Sequence, residues 1–233
     1  MTNFDQELSL NERIKNGEFK RIVVLTGAGI STGAGIPDYR SEGGIFNELM
    51  GAFPLVTTPE MLLSRSFVNQ HKVFEHEIFL KHVEAFKNAT PTNSHKLCKW
   101  LHDKGWLVRV YTQNIDGLHQ KVGLSDDMIV EYHGSLIKNN IVLYDDKIPS
   151  TVLNQSRLDF TNNLNPIDLV LVLGTSLKVF PFGSLPDKVP YGTMKLLVDN
   201  DPNHEVGKKW KLLEFRHDFI NEDVDYWANL IMS

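Results

Sequence analysis

A glycine-rich turn follows the first strongly apolar segment of the chain. The sequence VVLTGAGISTGAGIPDYRSEGG, residues 23–44, contains six glycines and one proline. Ordered glycine costs conformational entropy, so a cluster indicates that the backbone must pass close to another group. An apolar strand, then Gly27, Ala28 and Gly29, then a helix-forming segment is typical of a turn whose N–H groups bind a phosphate. The alternative is a tight strand-to-helix turn that binds nothing.

Two features of the dehydrogenase dinucleotide motif are missing from this turn. That motif has glycine at its sixth position and an acidic residue about 20 residues later, at the end of a second strand. Thr32 occupies the sixth position here, and the later segment GGIFNELM follows no predicted strand. The sequence therefore predicts a phosphate-binding turn and disfavours an enzyme that transfers hydride.

His133 is a candidate general base because of its place after an apolar segment. It comes directly after MIVEY, residues 128–132, and directly before Gly134. Histidine suits proton abstraction because its unperturbed pKa lies near physiological pH. The chain has nine histidines, most of which must be structural. The position of His133 at the predicted carboxyl edge of a sheet distinguishes it from the others.

The elements that must position these groups alternate between strands and helices. Short apolar segments predict strands at residues 21–25, 107–111, 128–132, 141–144, 168–173 and 194–198. These segments are apolar throughout, as in parallel strands that are buried on both faces. The clearest helix spans residues 92–105, with Thr92 and Asn93 as capping residues and Gly105 as its stop. The alternation predicts an α/β fold with a doubly wound, Rossmann-like parallel sheet.

One part of the chain breaks this alternation. Residues 41–89 carry helical patterns such as TPEMLLSRSF and no clear strand. We predict that this segment is a small helical insertion that forms the small domain and packs over the carboxyl ends of the strands. Residues 1–40 and 90–233 then form the Rossmann-like domain.

Composition limits the partners and the compartment. The 233 residues carry a net charge of -5 and no long basic block, so we expect no nucleic-acid or membrane partner. Cys98 is the only cysteine, which excludes an internal disulfide and a multi-cysteine metal site. The first residues lack the apolar core of a signal peptide, and no apolar run approaches the length of about 18 residues that a membrane span needs. We therefore expect a cytoplasmic protein, and the oligomeric state stays open.

Five sequence blocks resemble those of a known family. GAGIS with GIPDYR, then TQNIDGLH, EYHGSL, GTSLKVFPFGSLP and VDND occur in the order in which sirtuins, the NAD-dependent protein deacylases, carry their signature blocks. The blocks run from Gly27 to Asp201. The resemblance implies that the Rossmann-like domain binds NAD. It also implies that an acyl group passes from lysine to ADP-ribose with release of nicotinamide.

The resemblance implies a set of NAD-binding residues. Those expected at the pyrophosphate are Gly27, Ala28, Gly29, Ser31, Gly174, Thr175 and Ser176. Those expected at the adenosine ribose are Asn200 and Asp201, and those at the nicotinamide ribose are Asp38, Tyr39, Arg40 and Gln113. Ile115 and Asp116 would hold the carboxamide, whose NH2 group offers a buried carboxylate the donor it needs. A helix N-cap is an alternative and compatible role for Asp116.

The catalytic and substrate-binding residues also follow from the resemblance. Asn114 would order the reacting groups, and His133 would be the general base. The acyl-lysine oxygen attacks the ribose carbon as nicotinamide leaves, and His133 then helps a ribose hydroxyl to attack the resulting imidate. The acylated lysine peptide would lie as a strand between two protein segments. The substrate-binding residues expected there are Val142, Tyr144, Asp145, Val179 and Phe180.

The sequence departs from the family where most sirtuins carry a zinc ribbon. The chain passes from HGSLIKNN almost directly to IVLYDDKIP, without the two cysteine pairs that hold a structural zinc. We therefore predict that the protein has no zinc ribbon and binds no metal. Asp145 replaces a family glycine and Asp146 a glutamate. If the family glycine is needed for close approach of the substrate backbone, Asp145 would weaken peptide docking or shift which peptides bind. The two adjacent carboxylates would favour basic peptides.

Two other functions stay open on the sequence alone. The same nicotinamide pocket could serve an NAD-consuming ADP-ribosyltransferase or NAD hydrolase, since the missing zinc ribbon weakens the case for peptide binding. The third possibility is a catalytically silent module that binds NAD or ADP-ribose. The presence of Asn114, Asp116 and His133 together disfavours such a module, because binding alone does not need all three.

Overall fold

A six-stranded parallel sheet forms the centre of the protein, with its strands in the order β3-β2-β1-β4-β5-β6. The computed structural model describes residues 9–71, 83–213 and 217–233. The strands are β1 Ile22–Thr26, β2 Leu107–Thr112, β3 Ile129–Glu131, β4 Leu169–Leu173, β5 Met194–Asp199 and β6 His217–Asn221. The strand order reverses between β1 and β4. This arrangement confirms the predicted doubly wound, Rossmann-like α/β fold.

The strand prediction is wrong in one place and incomplete in another. Residues 141–144 form no strand. The N–H of Val142 donates to the His133 carbonyl at 2.9 Å and that of Tyr144 to the Leu63 carbonyl at 3.1 Å, so these groups are paired outside any sheet. The segment is apolar because it lines a cleft. β6 was not predicted because its sequence, HDFIN at the edge of the sheet, carries no continuous apolar run.

Helices cover both faces of the sheet. They are α1 Leu10–Lys15, α2 Ile45–Ala52, α3 Pro59–Leu62, α4 Arg65–Gln70, α5 Asn93–Asp103, α6 Leu118–Lys121, α7 Ser150–Phe160, α8 Glu205–Leu213 and α9 Val224–Met232. Alternate side chains of a strand point to opposite faces. Accordingly, Val24 packs in one buried cluster with side chains of α5 and α9, and Leu25 in another with side chains of α7 and α8. No described helix is long and apolar enough to cross a lipid bilayer.

Helix α5 begins and ends close to the predicted residues. Thr92 is its N-cap and exchanges hydrogen bonds with His95 in a capping box. Leu97 and Leu101 are fully buried on the face that packs against the sheet. Gly105 follows the last turn with a φ of +71°, a conformation that glycine adopts without strain.

The segment predicted as a helical insertion contains α2, α3 and α4, and residues 83–88 are also helical. Within its described residues, 41–71 and 83–89, there is no strand. Ile45, Phe46, Leu49 and Leu62 form a buried cluster separate from the two clusters on the sheet. The part of the prediction that concerns residues 72–82 lies outside the described residues, and the division into two domains stays a prediction.

Two histidines lie buried beneath the carboxyl end of β1. The rings of His95 and His119 are 4.8 Å apart, and both side chains are almost fully buried. His119 Nε2 lies 3.1 Å from the Thr26 hydroxyl. Within the described part of the chain, His95 Nε2 and His119 Nδ1 have no hydrogen-bond partner. Burial lowers the pKa of His95 to about 3 and that of His119 well below 6.5.

We expect this pair to make the protein sensitive to acid. Below pH 6.5 an unfolded histidine binds a proton that the folded pair excludes, so the free energy of unfolding falls as the pH falls. Each histidine contributes about 1.4 kcal/mol per pH unit in that range. Urea unfolding between pH 7.5 and 5 measures the slope, which His119→Gln is expected to reduce. His102→Gln, at a partly exposed position, is the control. A slope in the His119 variant equal to that of the wild type would contradict the prediction.

Candidate active site

A cleft of about 610 Å³ opens at the carboxyl ends of β1, β2, β4 and β5. Ala28, Gln113, Thr175 and Asn200, each from the segment after one of these strands, line it. The cleft therefore lies where the strand order reverses, which is the position of the ligand site in open α/β sheets. His133 lines the same cleft, so the topology brings the predicted base to the glycine-rich turn.

Most of the predicted site residues line this cleft. They are Ala28, Gly29, Asp38, Tyr39, Arg40, Gln113, Asn114, Ile115, His133, Val142, Tyr144, Gly174, Thr175, Ser176, Val179, Phe180, Asn200 and Asp201. Gly27, Ser31, Asp116 and Asp145 are not among the lining residues. The first three support the cleft from behind, and Asp145 points elsewhere.

The glycines of the first turn pack against a second glycine turn. The Gly29 N–H donates to the Gly174 carbonyl at 2.9 Å, and the Gly27 N–H donates to the Leu173 carbonyl at 3.2 Å. A Cβ on Gly29 would lie 2.8 Å from Gly174 Cα, and Gly174 has a φ of +57°. The close approach that the sequence indicates is therefore, in the first place, an approach between two turns of the protein.

Three backbone donors around these turns remain open. Among the described residues, no protein acceptor pairs with the N–H groups of Ala28, Thr175 and Ser176. All three residues line the cleft. Unpaired N–H groups that converge on a cleft favour an anion, because each exposed donor needs an acceptor. The two turns together therefore fit a diphosphate.

A buried hydrogen-bond network supports the inner end of the cleft. The Asn114 amide donates to the Gly27 carbonyl and to Ser31 Oγ, both at 3.1 Å. The Ser31 hydroxyl donates to Asp116 at 2.7 Å. Asp116 also accepts the N–H of Leu118, the first residue of α6, at 2.9 Å. The N-cap of that helix is Gly117, so the alternative prediction that Asp116 is the N-cap is wrong by one residue. Burial raises the pKa of Asp116, and these two donors oppose that shift.

The surroundings of His133 determine which ring nitrogen carries the proton. Its Nδ1 lies 3.1 Å from the Gln113 carbonyl oxygen. A carbonyl only accepts, so Nδ1 carries the proton in the neutral ring and Nε2 holds the free lone pair. Burial lowers the pKa of His133 below 6.5, and the Gln113 carbonyl opposes that shift. At neutral pH the ring is therefore uncharged and ready to accept a proton at Nε2.

The loop at residues 38–44 is held by its own side chains and by α2. The Asp38 carboxylate accepts the N–H groups of Arg40 at 3.1 Å and Ser41 at 2.8 Å. The Tyr39 ring packs on Phe46 with 5.6 Å between centroids, and burial raises the pKa of Tyr39 to about 12. These contacts fix the loop that carries Tyr39 and Arg40, which line the cleft.

Sequence reasoning missed Asp199 and His204, which also line the cleft. Asp199 ends β5 inside the VDND block and is buried, which raises its pKa. Its place directly after an apolar strand could have identified it. His204 accepts the Gly207 N–H at Nδ1, so Nε2 carries the proton that it donates to the Thr175 carbonyl at 2.9 Å. Nothing in its sequence context indicates that contact.

Apolar and aromatic side chains form the outer part of the cleft. Val142, Tyr144, Val179 and Phe180 all line the cleft, and their role in substrate binding stays a prediction. Tyr144 is 43% exposed and Phe180 is 73% exposed, so both stand at the rim. Asp145 does not face the cleft, because its carboxylate accepts the N–H groups of α4. The expected direct effect of Asp145 on a docked peptide therefore has no contact in the structure to support it.

Comparisons with known proteins agree on one family. The model described as the Sir2 family matches residues 27–142. The chain is 34% identical to NAD-dependent protein deacetylase hst2 of Schizosaccharomyces pombe, over 85% of this chain and 68% of that protein. It is also 34% identical to an NAD-dependent protein deacetylase of Clostridium perfringens, over 88% and 92%.

A solved structure has the same fold. It is a Sir2 variant with a deacetylated p53 peptide and 3'-O-acetyl ADP ribose, at a TM-score of 0.76 and 24% identity. The similarity covers 95% of this chain and 96% of that one.

Proposed function

This chain belongs to the Sir2 family, and from that membership we infer that it is an NAD-dependent protein deacetylase. NAD is its cosubstrate, and an acylated lysine in a peptide or protein is its substrate. The observation that carries the proposal is the convergence in one cleft of Ala28, Asn114, His133 and Thr175, from four different loops. Open phosphate donors, a buried amide network and a neutral imidazole are the groups that this reaction needs.

We propose that NAD binds along the carboxyl edge of the sheet. The open N–H groups of Ala28, Thr175 and Ser176 would bind the pyrophosphate, within the set of glycine-turn residues predicted from the sequence. Asn200 and Asp201 would face the adenosine ribose beyond β5. The braced loop with Asp38, Tyr39 and Arg40, together with Gln113, would contact the nicotinamide ribose.

We propose that the inner network receives the nicotinamide group. The buried Asp116 carboxylate accepts two hydrogen bonds, from the Ser31 hydroxyl and the Leu118 N–H. Its remaining lone pairs could accept a third from the NH2 group of a carboxamide. Ile115 lines the cleft beside it and would cover the ring. Asn114 would hold the first turn in place through Gly27 and Ser31, which orders the groups around the reacting carbon.

His133 would act as the general base. When bound, NAD supplies the ribose carbon to which the acyl oxygen is transferred, with nicotinamide as its leaving group. His133 would take a proton from a ribose hydroxyl at Nε2, because Nδ1 is committed to the Gln113 carbonyl. The lowered pKa keeps the imidazole in the form that can accept this proton.

The peptide substrate would dock along Val142. The N–H of Val142 donates to the His133 carbonyl. The Val142 carbonyl accepts no hydrogen bond from the described residues. That carbonyl is therefore available to the N–H of an acylated lysine, while Tyr144, Val179 and Phe180 offer an apolar passage for the side chain. We expect the acyl group on the substrate lysine to be neutral.

Incubation with NAD and an acetyl-lysine peptide tests the proposed function. We expect nicotinamide release that depends on the peptide. The peptide mass should fall by about 42 Da, because hydrogen replaces one acetyl group. Peptide-independent release of nicotinamide would favour an NAD hydrolase or ADP-ribosyltransferase. The absence of release, with NAD bound, would favour a silent binding module.

The pH dependence of the reaction follows from His133. Since its folded pKa lies below 6.5, the base is uncharged at neutral pH and becomes protonated only as the pH falls through that lowered value. We expect kcat/KM to be flat near pH 7 and to fall about tenfold per pH unit on the acid side. Initial rates between pH 5 and 8 measure this limb. An acid limb centred above pH 6.5 would contradict the assignment.

Three expectations from composition remain predictions. They are the cytoplasmic location, the absence of nucleic-acid or membrane partners, and the absence of a zinc ribbon. Metal analysis of the purified protein checks the last of these.

A further inference from the structure

The segment at residues 134–149 forms one wall of the cleft without regular secondary structure. Val142, Leu143 and Tyr144 lie in it and line the cleft. Irregular segments keep one conformation only where specific contacts hold them. The contacts that hold this segment therefore decide how well it can receive a substrate.

Asp146 makes one contact within the segment and another with the helical insertion. Its carboxylate accepts the N–H of Leu143 at 2.9 Å, which closes a local turn. The same carboxylate forms an ion pair with the Arg65 guanidinium at 2.8 Å. Arg65 also donates to the Ile141 carbonyl at 3.0 Å, so one guanidinium holds two points of the wall.

Asp145 adds a second contact between the wall segment and the start of α4. Its carboxylate accepts the backbone N–H of Arg65 and that of Ser66, the latter at 3.0 Å, and these are the first two residues of α4. The Tyr144 N–H also donates to the Leu63 carbonyl at 3.1 Å. Backbone hydrogen bonds, chiefly from Ser66, lower the pKa of Asp145 to about 2, and Arg65 lowers that of Asp146. Both carboxylates are therefore charged at neutral pH.

We propose that Arg65, Asp145 and Asp146 form a clamp that positions the substrate-binding wall at residues 141–144 and thereby sets the affinity for the acyl-lysine peptide. The inference rests on the proposed function and adds positioning residues to it. The clamp joins the wall to the insertion through these three side chains and the backbone groups that they contact, beside the backbone hydrogen bond from Tyr144 to Leu63. Arg65 and Asp145 do not line the cleft, so neither has to touch the substrate. Asp146 lines the cleft, but its carboxylate is engaged by Arg65 and by the N–H of Leu143.

Steady-state kinetics and hydrogen exchange of Arg65→Met, Asp146→Asn and the double variant test the clamp. We expect each single variant to raise the KM for an acetyl-lysine peptide about tenfold, as for loss of a hydrogen bond to a charged group. The KM for NAD and kcat should change less than about twofold, since those depend on other residues. The double variant should raise the KM by no more than Arg65→Met does, because the ion pair that Asp146→Asn weakens is already lost without the Arg65 guanidinium.

The controls separate the clamp from general loss of structure. Arg13→Met breaks an ion pair of the same kind, with Glu18, on α1, and should leave all constants unchanged. Arg65→Lys keeps the charge and should restore part of the peptide affinity. Faster exchange of the Val142 and Tyr144 amides in Arg65→Met would confirm the positioning role without reference to activity.

Three outcomes would overturn the clamp. They are an unchanged peptide KM, additive effects in the double variant, or unchanged amide exchange in the wall. A wild-type protein that removes no acyl group would instead overturn the proposed function. Amide exchange in Arg65→Met would then still show whether Arg65 holds the wall in place.

Discussion

His133→Ala is expected to reduce deacylation by about a thousandfold, the range that a positioned general base supplies. The physical reason is the ring's arrangement: Nδ1 donates to the Gln113 carbonyl, and Nε2 is the free acceptor in the cleft. Alanine removes the acceptor and leaves the two glycine turns intact. NAD should therefore still bind to the variant.

Peptide-dependent nicotinamide release and product mass measure the first effect, and calorimetric titration with NAD measures the second. His102→Ala is the matched control, because His102 is partly exposed beside Asp103 and does not line the cleft. Its activity should stay within about twofold of the wild type, as for a surface substitution. If His133→Ala kept more than about a tenth of the activity, His133 would not be the base.

Gly29→Ala is expected to weaken NAD binding at least about a hundredfold, because binding there depends on backbone placement. An added Cβ would lie 2.8 Å from Gly174 Cα and 2.9 Å from the Gly174 carbonyl oxygen. These are backbone atoms, so the two turns must separate. That separation breaks the Gly29–Gly174 hydrogen bond and moves the N–H groups of Ala28 and Thr175 apart.

Gly51→Ala is the matched control for this substitution. Gly51 lies in α2, and a Cβ there would meet no atom within 4 Å. Alanine should stabilise that helix by about 0.5–1 kcal/mol and leave NAD affinity unchanged. Calorimetric titration with NAD compares the variants, with thermal unfolding as a check that both fold. Wild-type affinity in a folded Gly29→Ala protein would show that the spacing of the two turns is not needed for binding.

The local pattern of the chain was sufficient to predict most of the sheet. β1 and β4 are apolar throughout because both their faces are buried, and β2 and β5 are buried on both faces over their carboxyl halves. That burial is visible in the sequence. The wall at residues 141–144 was misread as a strand for a related reason. Apolar residues that line a cleft have the same composition as apolar residues that fill a core.

Most of the candidate site could also be predicted, because its residues occur in contiguous blocks. Asp199 lies inside one of these blocks and was overlooked, whereas His204 contacts Thr175 only through the folding of α8 onto the sheet edge. Asp145 shows the limit of the approach. Its type and neighbours indicated a charge facing a peptide, but its carboxylate turns to the start of α4.

The amino-acid sequence by itself determined the family and the parallel sheet and was enough to propose His133 as the base, since apolar periodicity and contiguous motifs are local properties. The tertiary structure alone decided three further features. It placed Gly29 against Gly174, it set the tautomer and lowered pKa of His133, and it paired Arg65 with Asp146. Each depends on residues far apart in the chain, and their contact follows from the packing of distant loops at one sheet edge.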